Sequence, residues 1–247
     1  MNKLEGEISI VRLDSIDSTN HYAKSRLNEL TDKTVVIAKR QTNGHGRLQR
    51  SWIDLGEDNL FMTIVLKPSE KYSINYPNLT QYLSVVLCEL FDEYGTFAQI
   101  KWPNDVLINN KKIAGILSET VIHGNKFNGL VLGVGVNLNA DSKSLSTITD
   151  KEATALNIEL SQNHIDTEEF IQKLLNKFFI NYDKFLSEGF KFISDKYVKR
   201  ICLLGKKISV KIFNEEKYGI AKAITNNGEL ILQNNDKEFV LTMGDIL

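Results

Sequence analysis

Lys101-Trp102-Pro103-Asn104-Asp105 and, seven residues beyond Asp105, Lys112-Ile113-Ala114-Gly115-Ile116-Leu117 form the most informative stretch of this chain. Pro103 restrains the backbone between two strands, and Asn104 and Asp105 follow at once. Asp105 can hold a metal ion or orient a hydrogen-bond donor. Lys112 opens the next strand, at 113–117, where a compact ammonium can meet a carboxylate or a phosphate. The plainer alternative for Lys101, Lys111 and Lys112 is a solvated hairpin, and for Trp102 and Trp52 a place in the core.

Downstream lies Gly133-Val134-Gly135-Val136-Asn137-Leu138-Asn139. Two glycines inside an apolar strand, 130–136, mark the close approach of another backbone or of a ligand. Asn137 ends the run and can hydrogen-bond a ligand edge. Upstream, a strand at 35–38 leads into Gln41-Thr42-Asn43-Gly44-His45-Gly46-Arg47-Leu48-Gln49-Arg50-Ser51-Trp52. Its glycines admit an anion to backbone N–H groups, and Arg47 and Arg50 offer paired donors to phosphate or carboxylate. A dinucleotide fingerprint fails here, because Gln49 stands where the third glycine belongs. An anion-binding nest and an ordinary surface turn both remain open.

Strand-like runs at 8–13 and 60–66 and helical runs alternate with these segments through the first 200 residues. Asp17-Ser18-Thr19-Asn20 supplies the cap of a helix in which Ala23, Leu27 and Leu30 share a face. After Pro77, a stripe from Leu79 through Leu83, Val86, Leu90 and Phe91 to Tyr94 predicts a longer helix that stops at Gly95. Asp166 with Glu169 opens a third helix, with Phe170, Leu174, Phe178, Phe179, Tyr182 and Leu186 facing the core. From Leu203 the pattern changes. Ile208, Val210 and Ile212 alternate with polar residues, and short strands at 218–224, 230–232 and 239–241 are separated by Asn-, Asp- and Gly-rich turns. That predicts a small antiparallel barrel. The domains expected are 1–202, a mixed sheet with packed helices, and 203–247, the barrel.

Composition narrows the function. Apolar residues make up 42% and charged residues 25% of the 247, an ordinary globular balance. Thirty basic residues face thirty-one acidic ones, for a formal net charge of -1, which disfavours a basic nucleic-acid binder. No run of about 18 apolar residues suggests a membrane span. The polar stretch 1–7 is unlike a secretion signal. Cys88 and Cys202 lie far apart, as befits reduced cytoplasmic thiols. His21, His45, His123 and His164 have no metal-ligand spacing, and neither a nucleophile elbow nor a Walker loop is present.

Taken in order, these segments resemble the biotin protein ligases, also called biotin–[acetyl-CoA-carboxylase] ligases. The resemblance rests on Asp17 to Asn20, Gln41 to Trp52, the Lys101 to Asp105 block, Lys112 to Leu117 and Gly133 to Asn137, and it covers essentially the whole chain. It implies an α+β fold: a large mixed-sheet catalytic domain like that of class II aminoacyl-tRNA synthetases, plus an SH3-like C-terminal barrel. The family's loop usually carries arginine at the place of His45 and often glycine at that of Gln49. Some members also bear an N-terminal DNA-binding helix-turn-helix. Here the first strand begins by Ile8, so the single-function form without DNA binding is expected.

The resemblance further implies an enzyme that uses ATP, biotin and Mg²⁺. Biotin carboxylate attacks the α-phosphate to give biotinyl-5'-AMP. A lysine of a biotin carboxyl carrier protein domain of acetyl-CoA carboxylase, or of a related carboxylase, then takes the biotin. Ser18, Thr19, Asn20, Gln41, Gly44, His45, Gly46 and Gly115 match the biotin contacts. Arg50, Trp52, Asn104, Asp105 and Asn137 match the nucleotide side, with Asp105 the one metal candidate. Arg47 and Lys112 match both sets and are expected to be catalytic. A lipoate or octanoyl transferase of the same fold, or a non-catalytic biotinyl-AMP sensor, are the alternatives. The protein is expected in the cytoplasm, off the membrane, as a monomer or homodimer.

Overall fold

The computed structural model describes residues 8–124, 126–148 and 152–247. The polar stretch 1–7 and the side chain of Gln49 lie outside the described residues.

Seven strands form the large sheet. They are β1 (Ser9–Ile16), β2 (Thr34–Gln41), β3 (Leu60–Leu66), β4 (Ala98–Lys101), β5 (Asp105–Ile108), β6 (Lys111–His123) and β7 (Lys126–Val136). Their order is β1-β2-β3-β7-β6-β5-β4. Only the β1–β2 pair is parallel, so the sheet is mixed, as expected. Helices are α1 (Thr19–Ser25), α2 (Leu79–Glu93), the one-turn α3 (Ser142–Leu145) and α4 (Leu156–Glu159), then α5 (Thr167–Ile180), α6 (Tyr182–Glu188) and α7 (Ser194–Arg200).

Alternation along the central strands builds two cores. Val35 and Ile37 of β2, with Ile64 and Leu66 of β3, face α2 and α5, whereas Val36 and Val65 face Ala23 of α1. Successive strand side chains point to opposite faces, so strands covered on both sides read as unbroken apolar runs. The α2 stripe is buried along its length, and Gly95 ends it with φ +82°. Full burial of each large side chain there contributes about 1.5–3 kcal/mol.

Three expectations change in detail. The α1 helix stops at Ser25, so Leu27 packs on the second core from a turn and Leu30 only flanks it. The third helix is two, because it breaks at Asn181 (φ -118°, ψ 5°). β6 runs far beyond 113–117, since its ladder to β7 carries the polar residues Ser118, Glu119 and Thr120.

The second sheet comprises β8 (Lys207–Ile212), β9 (Glu215–Ile224), β10 (Leu230–Asn234), β11 (Lys237–Leu241) and β12 (Asp245–Ile246). It is antiparallel, in the order β11-β10-β9-β8-β12. Val210, Ala221, Leu230 and Leu232 merge into the larger core. The turn before β10 also docks on α2 and the β4–β5 hairpin. The Gly228 carbonyl accepts from Gln81 Nε2 at 2.7 Å and from Trp102 Nε1 at 3.3 Å. Trp102, 2% exposed, is therefore a core residue that ties the two sheets together.

Candidate active site

One cleft collects the candidate residues where the β3–β7–β6–β5 surface meets α1, the loop after β2 and the last strand of the barrel. Ser18, Thr19, Asn20, Gln41, His45, Gly46, Arg47, Arg50, Trp52, Asn104, Asp105, Lys112, Gly115 and Asn137 all line it. Gly44 does not. It lies beneath the loop, where a Cβ would come within 2.8 Å of Gln41 Nε2 and 2.9 Å of the Trp52 carbonyl.

The α1 end of the cleft is polar and buried. Ser18, Thr19 and Asn20 are each 4% exposed. Gln41 Oε1 accepts from the Thr19 N–H at 2.8 Å and from the Thr19 hydroxyl at 3.1 Å. The buried Thr63 hydroxyl lies 2.7 Å from Asn20 Oδ1. Asn20 Nδ2 donates to Glu119 Oε2 at 2.9 Å. Burial raises the Glu119 carboxyl, but hydrogen bonds from Lys24 and Asn20 and the charges of Lys24 and His45 outweigh it, so its pKa lies below the ordinary value. His45 Nε2 lies 3.9 Å from the same carboxylate.

Glycines on β6 and β7 make room for side chains rather than for a backbone. A Cβ at Gly133 would stand 2.3 Å from Asn20 Oδ1. Gly115 and Gly135 are cross-strand partners. A Cβ on Gly135 would stand 2.4 Å from Trp52 Cε2, and one on Gly115 2.8 Å from Trp52 Cζ3. The Trp52 indole thus rests against the glycine pair, with its Nε1 buried and without a hydrogen-bond partner. Gly115 lines the cleft, and Trp52 and Lys112 both pack over it, a Cβ there coming within 3.1 Å of Lys112 Nζ.

The loop closes partly on itself through its own backbone. Gly46 N–H donates to the Arg50 carbonyl at 2.7 Å and Trp52 N–H to the Gly44 carbonyl at 2.9 Å. The segment is a short hairpin, closed by the His45–Ser51 bridge and turning at Leu48 with φ +52°. Its two arginines reach the barrel. Arg47 Nη1 donates to the Gly244 carbonyl at 3.1 Å, and Arg50 Nη2 lies 3.2 Å from Asp245 Oδ2. Burial lowers the Arg47 pKa, with Asp245 and Asp105 opposing the shift, and a guanidinium stays charged nonetheless.

Lys112 Nζ pairs with Asp105 Oδ1 at 2.7 Å and lies 5.3 Å from the centroid of the Trp52 ring. Of the two roles open to Asp105, orienting a donor is the one the structure displays. No group of three or more His, Cys, Asp or Glu suited to a metal ion occurs among the described residues. Asp105 is then a single carboxylate, of the kind that can join a Mg²⁺ whose other oxygen ligands come from water and the nucleotide's phosphates. Asn104 Nδ2 donates to the Ile116 carbonyl at 3.0 Å and Asn137 Nδ2 to the Thr154 carbonyl at 3.0 Å, so both amides brace the strands beside the cleft.

The sequence offers no pointer to Asp245 and Ile246, which also line the cleft. They sit in a two-residue strand at the end of the barrel, too short to leave a pattern. Lys101 lines it too, although a solvated hairpin was the plainer expectation. No helix among the described residues is long and apolar enough to cross a membrane.

Known proteins are similar to this chain in sequence and fold. The model of the biotin/lipoate A/B protein ligase family matches residues 13–137. The biotin–[acetyl-CoA-carboxylase] ligase of Paracoccus denitrificans is 30% identical over 224 residues, 88% of this chain and 91% of that protein. The bifunctional ligase/repressor BirA of Bacillus subtilis is 29% identical over 225 residues, 91% of this chain and 68% of that protein. Among solved structures, the biotin protein ligase from Aquifex aeolicus in complex with biotin and ATP superposes with a TM-score of 0.82 at 25% identity, covering 97% of each chain.

Proposed function

Since this chain belongs to the biotin/lipoate A/B protein ligase family, we propose that it is a biotin protein ligase, which activates biotin with ATP and passes it to a lysine of a carboxyl carrier domain. The observation that carries the assignment is the cleft's two-ended chemistry. One end is buried and polar, from Ser18, Thr19 and Gln41, and the other is cationic, from Lys112, Arg47, Arg50 and Lys101.

The polar end suits a compact head with its own donors and acceptors. A purely apolar tail would bury those groups without reward, which favours biotin over a linear acyl chain. The cationic end suits the meeting of a carboxylate with a phosphate. The carboxylate oxygen bonds to the α-phosphorus, the bond from that phosphorus to its bridging oxygen breaks, and pyrophosphate leaves with the electron pair. No enzyme nucleophile is needed. Positioning and charge stabilisation supply the rate. Asp105 takes one donor of Lys112 and aims the ammonium, while an ammonium's three donors leave others for the reacting oxygens. Arg47 holds the phosphate side. Mg²⁺ travelling with ATP would offset charge on the phosphates, and no step here is routed through it.

The partner is a carboxyl carrier domain of acetyl-CoA carboxylase or a related enzyme. No DNA partner is proposed, because the balanced charge offers no excess to a phosphate backbone. We place the boundary between the catalytic unit and the barrel at 202/203, and the protein in the cytoplasm, where its two unpaired buried cysteines are at home.

Incubation with biotin, Mg-ATP and a carrier domain, read by intact mass, tests the assignment. One added biotin per carrier is expected, and an unmodified carrier beside folded enzyme overturns it. Thermal shift with biotin against lipoate separates the transferase alternative.

A further inference from the structure

Glu119 stands behind the α1 end of the cleft and gathers groups from two other segments. Lys24 Nζ of α1 lies 2.7 Å from its Oε1. Asn20 Nδ2, also of α1, donates to its Oε2 at 2.9 Å, and His45 Nε2 of the hairpin lies 3.9 Å from the same oxygen. Among the described residues of the cleft lining are Asn20 and His45 but not Glu119.

This arrangement fixes the Asn20 amide. Its Nδ2 also donates to the Leu117 carbonyl at 3.3 Å, and its Oδ1 lies 2.7 Å from the Thr63 hydroxyl. An ionised carboxylate only accepts hydrogen bonds, so Glu119 holds the NH2 group towards β6. Both amide hydrogens are thereby committed, and Asn20 can offer a ligand only the second lone pair of Oδ1. The hairpin is held at two other places, its arginines on the barrel and its root by Asn43 N–H on the Asp17 carbonyl at 2.9 Å. Between these, His45 faces Glu119 across a gap that attracts only when the imidazole carries a proton. The other charged groups at this junction are Lys24, which shares the carboxylate, and Asp17 and His21, which pair with each other at the start of α1. On the hairpin itself they are Arg47 and Arg50, which reach the barrel.

We propose that Glu119 is a positioning residue for biotin, which fixes the Asn20 amide as an acceptor and draws the hairpin onto the site through His45 without touching the ligand. This deepens the ligase assignment above and rests on it. The ureido N–H groups of biotin need acceptors once they leave water, and an amide turned the wrong way would leave one unsatisfied. The second contact depends on pH, because an imidazole takes up its proton between about pH 5 and 8. Glu119 stays ionised there, its carboxyl lying below the ordinary value despite burial. Closing the hairpin over biotin then favours the protonated imidazole, so biotin affinity rises as pH falls.

The experiment measures biotin binding by calorimetry from about pH 8 to about pH 6 in wild type, Glu119→Gln, His45→Gln and His45→Arg. KM for biotin and for ATP come from pyrophosphate release. A glutamine donates as well as accepts, so in Glu119→Gln the Asn20 amide is free to turn. That variant is expected to bind biotin about ten- to a hundredfold more weakly, the loss of one charge-assisted bond, with KM for ATP near the wild-type value. Wild-type affinity should rise up to about fivefold towards the lower pH, the size of a partly exposed ion pair. The rise should vanish in Glu119→Gln and His45→Gln. In His45→Arg, whose charge is permanent, affinity should be high and independent of pH. If Glu119→Gln binds biotin as tightly as wild type, or raises both KM values equally, Glu119 is only structural and the proposal is overturned. A rise with acid that survives in Glu119→Gln means that His45 acts on the ligand directly, which overturns it too. Wild-type protein that binds no biotin at either pH overturns the ligase assignment itself, a distinguishable result.

Discussion

Lys112 Nζ and Asp105 Oδ1 lie 2.7 Å apart, reaching each other from paired strands across the register shift between Val106 and Leu107 in the β5–β6 ladder. The extra residue in a bulge re-aims the side chains beside it, and here it turns the lysine onto a carboxylate that is itself 7% exposed.

Lys112→Ala is expected to slow adenylate formation by about 10²–10³-fold, the usual loss when a donor aimed at developing charge is removed. It also leaves Asp105 buried without that partner, so the melting temperature should fall. The double variant Lys112→Ala, Asp105→Asn should regain stability but not activity. Pyrophosphate release and thermal melting of all three proteins check this. Recovery of activity in the double variant would show that the lysine has no chemical part.

Arg47→Gly is expected to leak the activated intermediate. The arginine links the hairpin to Gly244 and comes within 3.4 Å of Asn104 Oδ1, and its loss removes both the latch and a phosphate donor. One charge-assisted bond contributes about 1.5–3 kcal/mol, or roughly ten- to a hundredfold faster escape. Free biotinyl-5'-AMP would acylate lysines of a bystander protein, countable by mass. Adenylate synthesis without bystander labelling refutes the retention role.

Gly135→Ala is expected to lift the Trp52 indole from the sheet. The new methyl would stand 2.4 Å from Trp52 Cε2, and the indole, carried by a loop, is what can yield. The fold should survive, with red-shifted tryptophan emission and weakened biotin binding. Trp102, also at the cleft, is 2% exposed and held by the Gly228 carbonyl, so the shift is assigned to Trp52 by its absence from Trp52→Phe. Unchanged emission would mean that Trp52 does not rest on the glycine pair.

Glu119→Gln is expected to make stability less sensitive to acid. Burial raises this carboxyl, yet hydrogen bonds from Lys24 and Asn20 hold its folded pKa below the ordinary value. A depressed carboxylate pKa stabilises the fold above the unfolded-state value and loses that contribution as pH falls through the folded-state value. Wild type and variant should therefore differ most above the ordinary carboxylate range, near pH 4, and converge below it. Urea titrations at several pH values check the convergence. A gap that persists in acid would assign the difference to packing.

Local chemistry makes much of this molecule legible in its sequence. The apolar run Leu60–Leu66, the stripe along α2 and the turn residues between the barrel strands report their own burial and periodicity. The order of the motifs also marks which loops share a cleft. Side-chain partnerships are a different matter. Gly115 and Gly135 announce a close approach, but only the pairing of β6 with β7 reveals that Trp52 fills it. By sequence, Asp105 suits a metal or a donor equally, and only the bulge places Lys112 beside it. Asp245 leaves no local trace at all, because its meaning lies in contacts with Arg47 and Arg50, nearly two hundred residues earlier in the chain. Periodicity is a property of neighbouring residues, whereas charge pairing across a cleft exists only once distant segments have been packed together.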